Sequence, residues 1–183
     1  IHSENSEKLF NMKFDVIIGN PPYQMNDGGG SNGISAKPIY HKFISTSKKL
    51  NPKFISMIIP ARWYAGGKGL DSFREEMLND KRIKTLVDYP KSRECFSGVD
   101  IAGGVCYFLW DKHHSGDCEV INIEKNNISR KTRNLAQHKI FVRDNIGTEI
   151  LDKVLSLNEK KLSEKVLTRN SFGFTTKYRG KEN

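Results

Sequence analysis

The stretch on which the fold turns is Phe14-Asp15-Val16-Ile17-Ile18-Gly19-Asn20-Pro21-Pro22-Tyr23. Its first half is a short apolar, β-branched run ended by glycine, the pattern of a buried strand. Its second half sets a polar side chain, two prolines and an aromatic ring directly after that strand. Each proline fixes its own φ, and Pro22 also restricts Pro21, so the backbone beyond the strand is stiff. In open α/β sheets ligands bind outside the carboxyl ends of the strands. Asn20 to Tyr23 are therefore the first candidate for a site.

Outward from this stretch, residues 1–13 are polar and read as a helix end or linker. Residues 20–38 are rich in Gly, Asn, Ser and Pro and read as a mobile loop, with Gly28-Gly29-Gly30 as a hinge. The spacing of Ile39, Phe43, Ile44 and Leu50 predicts a helix over 39–50, and Lys48-Lys49 suit its carboxyl end. Asn51-Pro52 break it. Residues 54–59 predict a second buried strand stopped by Pro60. A helix is expected over 71–78, with Phe73, Met77 and Leu78 on one face. Residues 83–87 predict a third strand and 104–110 a fourth. Alternating strands and helices are the rhythm of a doubly wound α/β sheet. The last two strands are joined by a loop without a helix, so an antiparallel pair is expected there. Beyond Asp111 the pattern changes: residues 118–123 read as a strand, and residues 146–157 as a helix with Ile146, Ile150, Leu151, Val154 and Leu155 on one side.

The Asn20 segment suits one chemical task. An exocyclic amino group on a base delocalises its lone pair into the ring and is a poor nucleophile. The Asn20 side-chain oxygen and the Pro21 carbonyl can accept its two N–H groups and favour a tetrahedral nitrogen whose lone pair points at an electrophile. With the sulfonium methyl of S-adenosylmethionine in line, positioning and electrostatics suffice without a strong base. Tyr23 offers a flat surface for stacking on a base that has left its duplex. The plainer reading of Asn-Pro-Pro-Tyr is a strand-ending turn, since Asn and Pro are common there. All four residues directly after an apolar strand are much more specific than a lone Pro-Pro.

Asn20-Pro21-Pro22-Tyr23 resembles motif IV of the amino-methyltransferase family, (Asp/Asn/Ser)-Pro-Pro-(Tyr/Phe/Trp). The segment FISMIIPARW (54–63) is similar to motif VI of the adenine-specific gamma class, and IKTLVDYPKSRECFSGVDIAGGVCYFLW (83–110) to motifs VII and VIII. The resemblance covers residues 14–110, and its nearest subgroup looks like the type IIG restriction–modification methylases of bacteria. It implies the second half of a Rossmann-like class I methyltransferase sheet, mostly parallel with the last strand antiparallel, followed by a C-terminal extension. It also implies an N6-adenine-specific DNA methyltransferase that takes its methyl from S-adenosylmethionine and acts on a flipped base. Asn20, Pro21, Pro22 and Tyr23 would be catalytic. Phe96, on the loop between the last two strands, falls where the family carries an aromatic against the adenine; a loop aromatic folded into the core is the competing reading. Double-stranded DNA is the implied partner. No Pro-Asp…Glu-x-Lys cluster is apparent, so cleavage would require a linked nuclease segment outside this chain.

The family's glycine-rich motif I is not found, and Gly66-Gly67-Lys68-Gly69 lacks the spacing of a phosphate loop; it reads as loop and helix start. The main S-adenosylmethionine site is therefore expected upstream of Ile1, and the isolated chain is expected to be inactive. Ile1 in place of an initiator methionine fits a processed chain or part of a longer one. The expected division is a partial catalytic domain over 1–111 and, over 112–183, an extension leading toward a target-recognition region, with Ser171-Phe172-Gly173-Phe174 resembling its approach.

Composition is compatible with these readings. Hydrophobic residues make up 37% and charged residues 28%, which suits a globular chain. No apolar run reaches membrane-spanning length and no signal-peptide profile is present, so a cytoplasmic location without membrane attachment is expected. Cys95, Cys106 and Cys118 form no CxxC pair, so no metal site is expected. The net charge of +9 fits a polyanionic partner or a merely soluble basic surface. The excess is spread, with 15 Lys/Arg against 11 Asp/Glu over 1–110 and 15 against 10 beyond. Arg62, Lys68, Lys91 and Arg93 lie on loops beside the candidate site and fit either phosphate contacts or solvated charge. Nothing makes Asp15 and Asp88 an acid–base pair, and His41 and His138 read as structural. Two other classes stay open: a protein-glutamine or RNA guanine amino-methyltransferase using the same segment, and a non-catalytic DNA-binding or specificity module.

Overall fold

The computed structural model describes residues 13–25, 36–138, 140–160 and 166. Gly28-Gly29-Gly30 and Ser171 to Phe174 lie outside them, as does nearly all of the amino-terminal polar segment.

Six strands form one sheet in the order β1-β4-β6-β5-β7-β8. They are β1 Val16–Gly19, β4 Phe54–Pro60, β5 Ile83–Tyr89, β6 Val105–Asp111, β7 Cys118–Glu124 and β8 Asn127–Arg133. A separate two-residue pair, β2 Gln24–Met25 and β3 Lys37–Pro38, closes the base of the segment after Tyr23. β1 runs parallel to β4 and β5 parallel to β7; β6 lies between β4 and β5, antiparallel to both. Four of the six strands thus point one way, and the antiparallel strand after the helix-free loop is the expected one. The fold is α/β.

Helix α1, Tyr40–Lys49, links β1 to β4, and α2, Asp71–Asn79, links β4 to β5. Both crossovers advance in the same direction across the sheet, and right-handed connections then put both helices on one face. Tyr40 and Phe73 meet edge to face at 6.0 Å. The core lies between these helices and alternate residues of the strands: Ile55, Met57 and Ile59 of β4, and Cys106, Phe108 and Trp110 of β6. Helix α1 turns Tyr40, Ile44 and Ser47 inward, one per turn, so Phe43 is left exposed despite its place in the apolar pattern.

Among the described residues the other face of the sheet is half open. Ile58 and Leu109 are partly buried there, Tyr107 is exposed, and at the β1 edge Val16 and Ile18 are 51% and 78% exposed. A doubly wound sheet carries helices on both faces; here the described helices beside β4 and β6 cover one.

The sheet also continues past Asp111, where the sequence pattern changes, because β7 pairs with β5 and β8 with β7. The first compact unit runs to Gly147 and the second starts at Thr148. Helix α3, Asn145–Ser156, begins where Asp144 Oδ1 accepts the backbone N–H groups of Ile146 and Gly147 at 2.6 and 3.0 Å. Its Ile146, Ile150, Val154 and Leu155 are exposed. No described helix is long and apolar enough to cross a membrane.

Candidate active site

Asn20 follows the last residue of β1, at the carboxyl end of the strand, and is exposed; Pro21 beneath it is buried. The stiff segment is pinned further where Tyr23 carbonyl oxygen accepts the Ile39 N–H at 3.1 Å. Asn20, Pro21, Pro22 and Tyr23 together line one side of a cleft of about 710 Å³. Tyr40 from the start of α1 and Pro60 from the end of β4 add to it, and Asp100, Ile101 and Ala102 of the β5–β6 loop also line it. A cleft of this size, whose lining mixes apolar surface with Asn20, Gln24, Arg62, Lys68 and Asp100, has room for a small organic ligand.

Below the cleft the polar groups are sparsely partnered. The Tyr23 hydroxyl is buried without a hydrogen bond, and burial, with Cys95 and Cys106 nearby, pushes its pKa up to about 12. Tyr40 and Tyr64 bury unbonded hydroxyls as well, and burial first of all drives both well above the usual phenol range. Cys106 beside them receives the Trp63 indole N–H at 3.4 Å, and burial raises its thiol to about 12. These groups stay neutral at physiological pH. The site thus offers oriented oxygen acceptors and flat apolar surfaces, with no base evident among these residues.

A model of the Eco57I restriction-modification methylase family matches residues 2–96. The chain belongs to this family. An "Uncharacterized adenine-specific methylase" of Mycoplasma pneumoniae is 32% identical over 94% of this chain, which spans 45% of that relative's length. Among solved structures, the methyltransferase subunit of a type I restriction-modification system from Streptococcus thermophilus aligns at TM-score 0.45 and 15% identity, over 81% of this chain and 33% of that one. The type IIG restriction endonuclease BpuSI aligns at 0.43 and 14%, over 64% and 19%.

In this Eco57I-family chain the candidates from the sequence separate. The four residues of the Asn20 segment share the cleft. Phe96 does not line it: it is half-buried after a short 3-10 turn, Ser92–Glu94, with its N–H bonded to the Ser92 carbonyl at 2.7 Å. Of the four loop cations, Arg62 and Lys68 line the cleft. Lys91 pairs with Glu124 at 2.6 Å and Arg93 with Asp100 at 2.9 Å. Gly66 to Gly69 form a loop before α2, as expected, with the Gly67 N–H held by Asp71 at 2.9 Å. Asp15 is tied to Lys53, through its side chain at 3.1 Å and its carbonyl at 2.8 Å. The His41 ring is partly buried, and burial lowers its pKa.

Sequence reasoning missed Tyr40, Pro60 and the wall made by Asp100, Ile101 and Ala102. The wall had a signal, since it sits inside the segment 83–110 resembling motifs VII and VIII; the aromatic Phe96 drew the reading away from it. Ser92 was missed as well. It is 1% exposed, and its hydroxyl both donates to Val99 carbonyl oxygen at 3.0 Å and accepts the Ile101 N–H at 2.8 Å.

Proposed function

We propose that this chain carries the methyl-accepting side of the active site of a DNA adenine methyltransferase from a restriction-modification system. The carrying observation is the exposed Asn20 at the end of β1, beside Tyr23, in a cleft large enough for a flipped base. The Asn20 side-chain oxygen and the Pro21 carbonyl accept the two N–H groups of the adenine amino group, and Tyr23 lies against the ring. When bound, S-adenosylmethionine supplies an electrophilic methyl group. The chain's own part would be to hold the amino nitrogen between these two acceptors with its lone pair turned toward that methyl group. Arg62 and Lys68 on the cleft lining suit the flanking phosphates.

The residues present fit the acceptor and not the body of the cofactor. Among the described residues of the cleft there is no glycine-rich strand end, and the one carboxylate, Asp100, is engaged by Arg93. We place the main cofactor site in a segment of the intact enzyme that joins the sheet at β1. The exposed Val16 and Ile18 and the edge position of β1 support this, because an uncovered apolar face calls for a covering layer and an open edge for a partner strand. On the same reading residues 112–183 lead toward target recognition, with β7 and β8 still part of the sheet.

In the intact enzyme Asn20→Ala is expected to lower kcat for methyl transfer to adenine in duplex DNA by roughly a hundredfold or more, with little change in DNA affinity. Equal activity in variant and parent would remove the catalytic assignment. Transfer to a glutamine-bearing protein or to RNA guanine instead would keep the chemistry and replace the substrate. Ile101→Ala and Phe96→Ala then divide the loop. If Ile101 is the apolar contact to the base, its variant loses more activity. The reverse order would mean that Phe96 swings into the cleft on binding.

A further inference from the structure

The wall of the cleft formed by Asp100, Ile101 and Ala102 is held from a place no motif marks. Asp88, near the carboxyl end of β5, is 1% exposed, and a buried carboxylate requires a partner. Arg143 supplies it from 55 residues away: Nε donates to Oδ2 at 2.6 Å and Nη2 to Oδ1 at 2.7 Å. The third nitrogen, Nη1, donates to the Gly103 carbonyl oxygen at 2.7 Å, immediately after the wall. The planar guanidinium thereby ties the end of β5 to the end of the β5–β6 loop.

Arg143 is itself fixed from behind. Its carbonyl oxygen accepts Asn122 Nδ2 of β7 and Arg133 Nη2 of β8, both at 3.1 Å. The Asn145 N–H donates to Asn122 Oδ1 at 3.0 Å. On the other side Gly104, at φ +78, runs against the backbone of Tyr89 and Pro90, where a side chain would collide. Its N–H bonds Ile101 carbonyl oxygen at 2.8 Å, and its own carbonyl accepts the Ala61 N–H at 3.0 Å. A continuous set of hydrogen bonds therefore runs from the β7–β8 pair through Arg143 and Gly103 to Ile101.

We propose that Arg143 is a positioning residue: it transmits the placement of the β7–β8 pair to the Asp100–Ala102 wall and so sets the width of the acceptor cleft. The kinetic consequence rests on the function proposed above; the mechanical one does not. Two readouts separate them. In the intact enzyme, Arg143→Gln and Arg143→Lys are compared with the parent by amide hydrogen exchange and by methyl-transfer kinetics. Lysine keeps the charge opposite Asp88, so the fold is retained even if the glutamine variant fails, but it cannot hold both carboxylate oxygens and the Gly103 carbonyl together. The Ile101 and Gly104 amides are expected to exchange about tenfold faster, the equivalent of one charge-assisted hydrogen bond, while the amides of β4 keep the parent rate. With the wall displaced, kcat should fall by about ten- to a hundredfold and the KM for DNA should change little. Uniform acceleration across the sheet, or none in the loop, would overturn the proposal. Faster loop exchange with unchanged methyl transfer would uphold the tether and refute its role in the reaction. Faster loop exchange in an enzyme whose parent does not methylate adenine would uphold the tether and refute the substrate.

Discussion

Two buried carboxylates sit at opposite ends of β5, each with a guanidinium and an aromatic ring, and they are built to different ends. Asp80, just before the strand, accepts Arg82 at 2.7 and 3.0 Å, Lys48 Nζ at 2.9 Å and the Trp110 indole N–H at 2.9 Å. The Arg82 guanidinium lies 4.7 Å from the centre of the Trp110 ring. Its central ion pair is local, two residues apart, and each named carboxylate oxygen has partners. Asp88 at the other end is closed by Arg143, whose guanidinium lies 5.4 Å from the centre of the Tyr64 ring. Toward this end, on and below the cleft, the hydroxyls of Tyr23, Tyr40 and Tyr64 are buried without hydrogen bonds. The end of the sheet remote from the cleft has a polar cluster with its bonds met, which serves stability. The cleft end carries unmet hydroxyls beside the residues that would do chemistry, as functional sites commonly do.

The comparison makes Asp80 the sharper stability prediction. Burial alone would raise the Asp80 pKa, but the bonds from Arg82, Lys48 and Trp110 outweigh it and hold the carboxyl well below its usual range. Asp80→Asn leaves Lys48 and Trp110 facing an amide, and is expected to cost about 2–3 kcal/mol, somewhat less than a fully buried pair because Arg82 is half exposed. Urea denaturation measures this. A depressed native pKa contributes stability above the unfolded value of about 3.9 and loses it as pH falls through the native one. The parent should therefore lose stability progressively below about pH 4, and the variant's stability should depend less on pH in that range. A variant as stable as its parent, or with the same acid response, would mean that the cluster at this end is not what secures the sheet.

The same two clusters explain what the sequence could tell. Strand β5 itself follows from an apolar run, but the cluster at its start gave no reading: Arg82 is two residues from Asp80, while Lys48 and Trp110 come from 32 and 30 residues away. Strands with a buried face announced themselves: residues 54–59 and 104–110 lie within one residue of β4 and β6 at each end. The motif segment reached its cleft because strand and prolines are contiguous in sequence. Strand β8, Asn-Ile-Ser-Arg-Lys-Thr-Arg, gave no signal, because the positions it turns inward, Ser129, Lys131 and Arg133, are themselves polar, so no apolar alternation marks it, and its charges guard the edge. Arg143 was equally silent. It looks like one more cation in a basic extension, and only the tertiary fold brings it 2.6 Å from Asp88. Phe96 shows the converse: an aromatic in a motif-like segment lies off the cleft lining, for a reason local spacing does not carry.

The smallest effect is the most direct test of the unmet hydroxyls. Tyr64 is buried between Trp63, whose ring centre is 4.6 Å away, and Phe141 at 4.7 Å, with Arg143 over its face, so its ring is held without help from the hydroxyl. Its hydroxyl lies beside Cys106 and raises a desolvation cost that no hydrogen bond offsets. Tyr64→Phe removes the cost and keeps the ring beneath Arg143, so the expected change in stability is within about 0.5 kcal/mol of zero, or slightly favourable. Removal of a satisfied hydroxyl would instead cost about 1 kcal/mol. A loss of that size on urea denaturation would show that the Cys106 sulfur accepts a real bond from Tyr64. The cleft end of the sheet would then be as well satisfied as the Asp80 end, and the contrast between them would have to rest on the Arg143 tether alone.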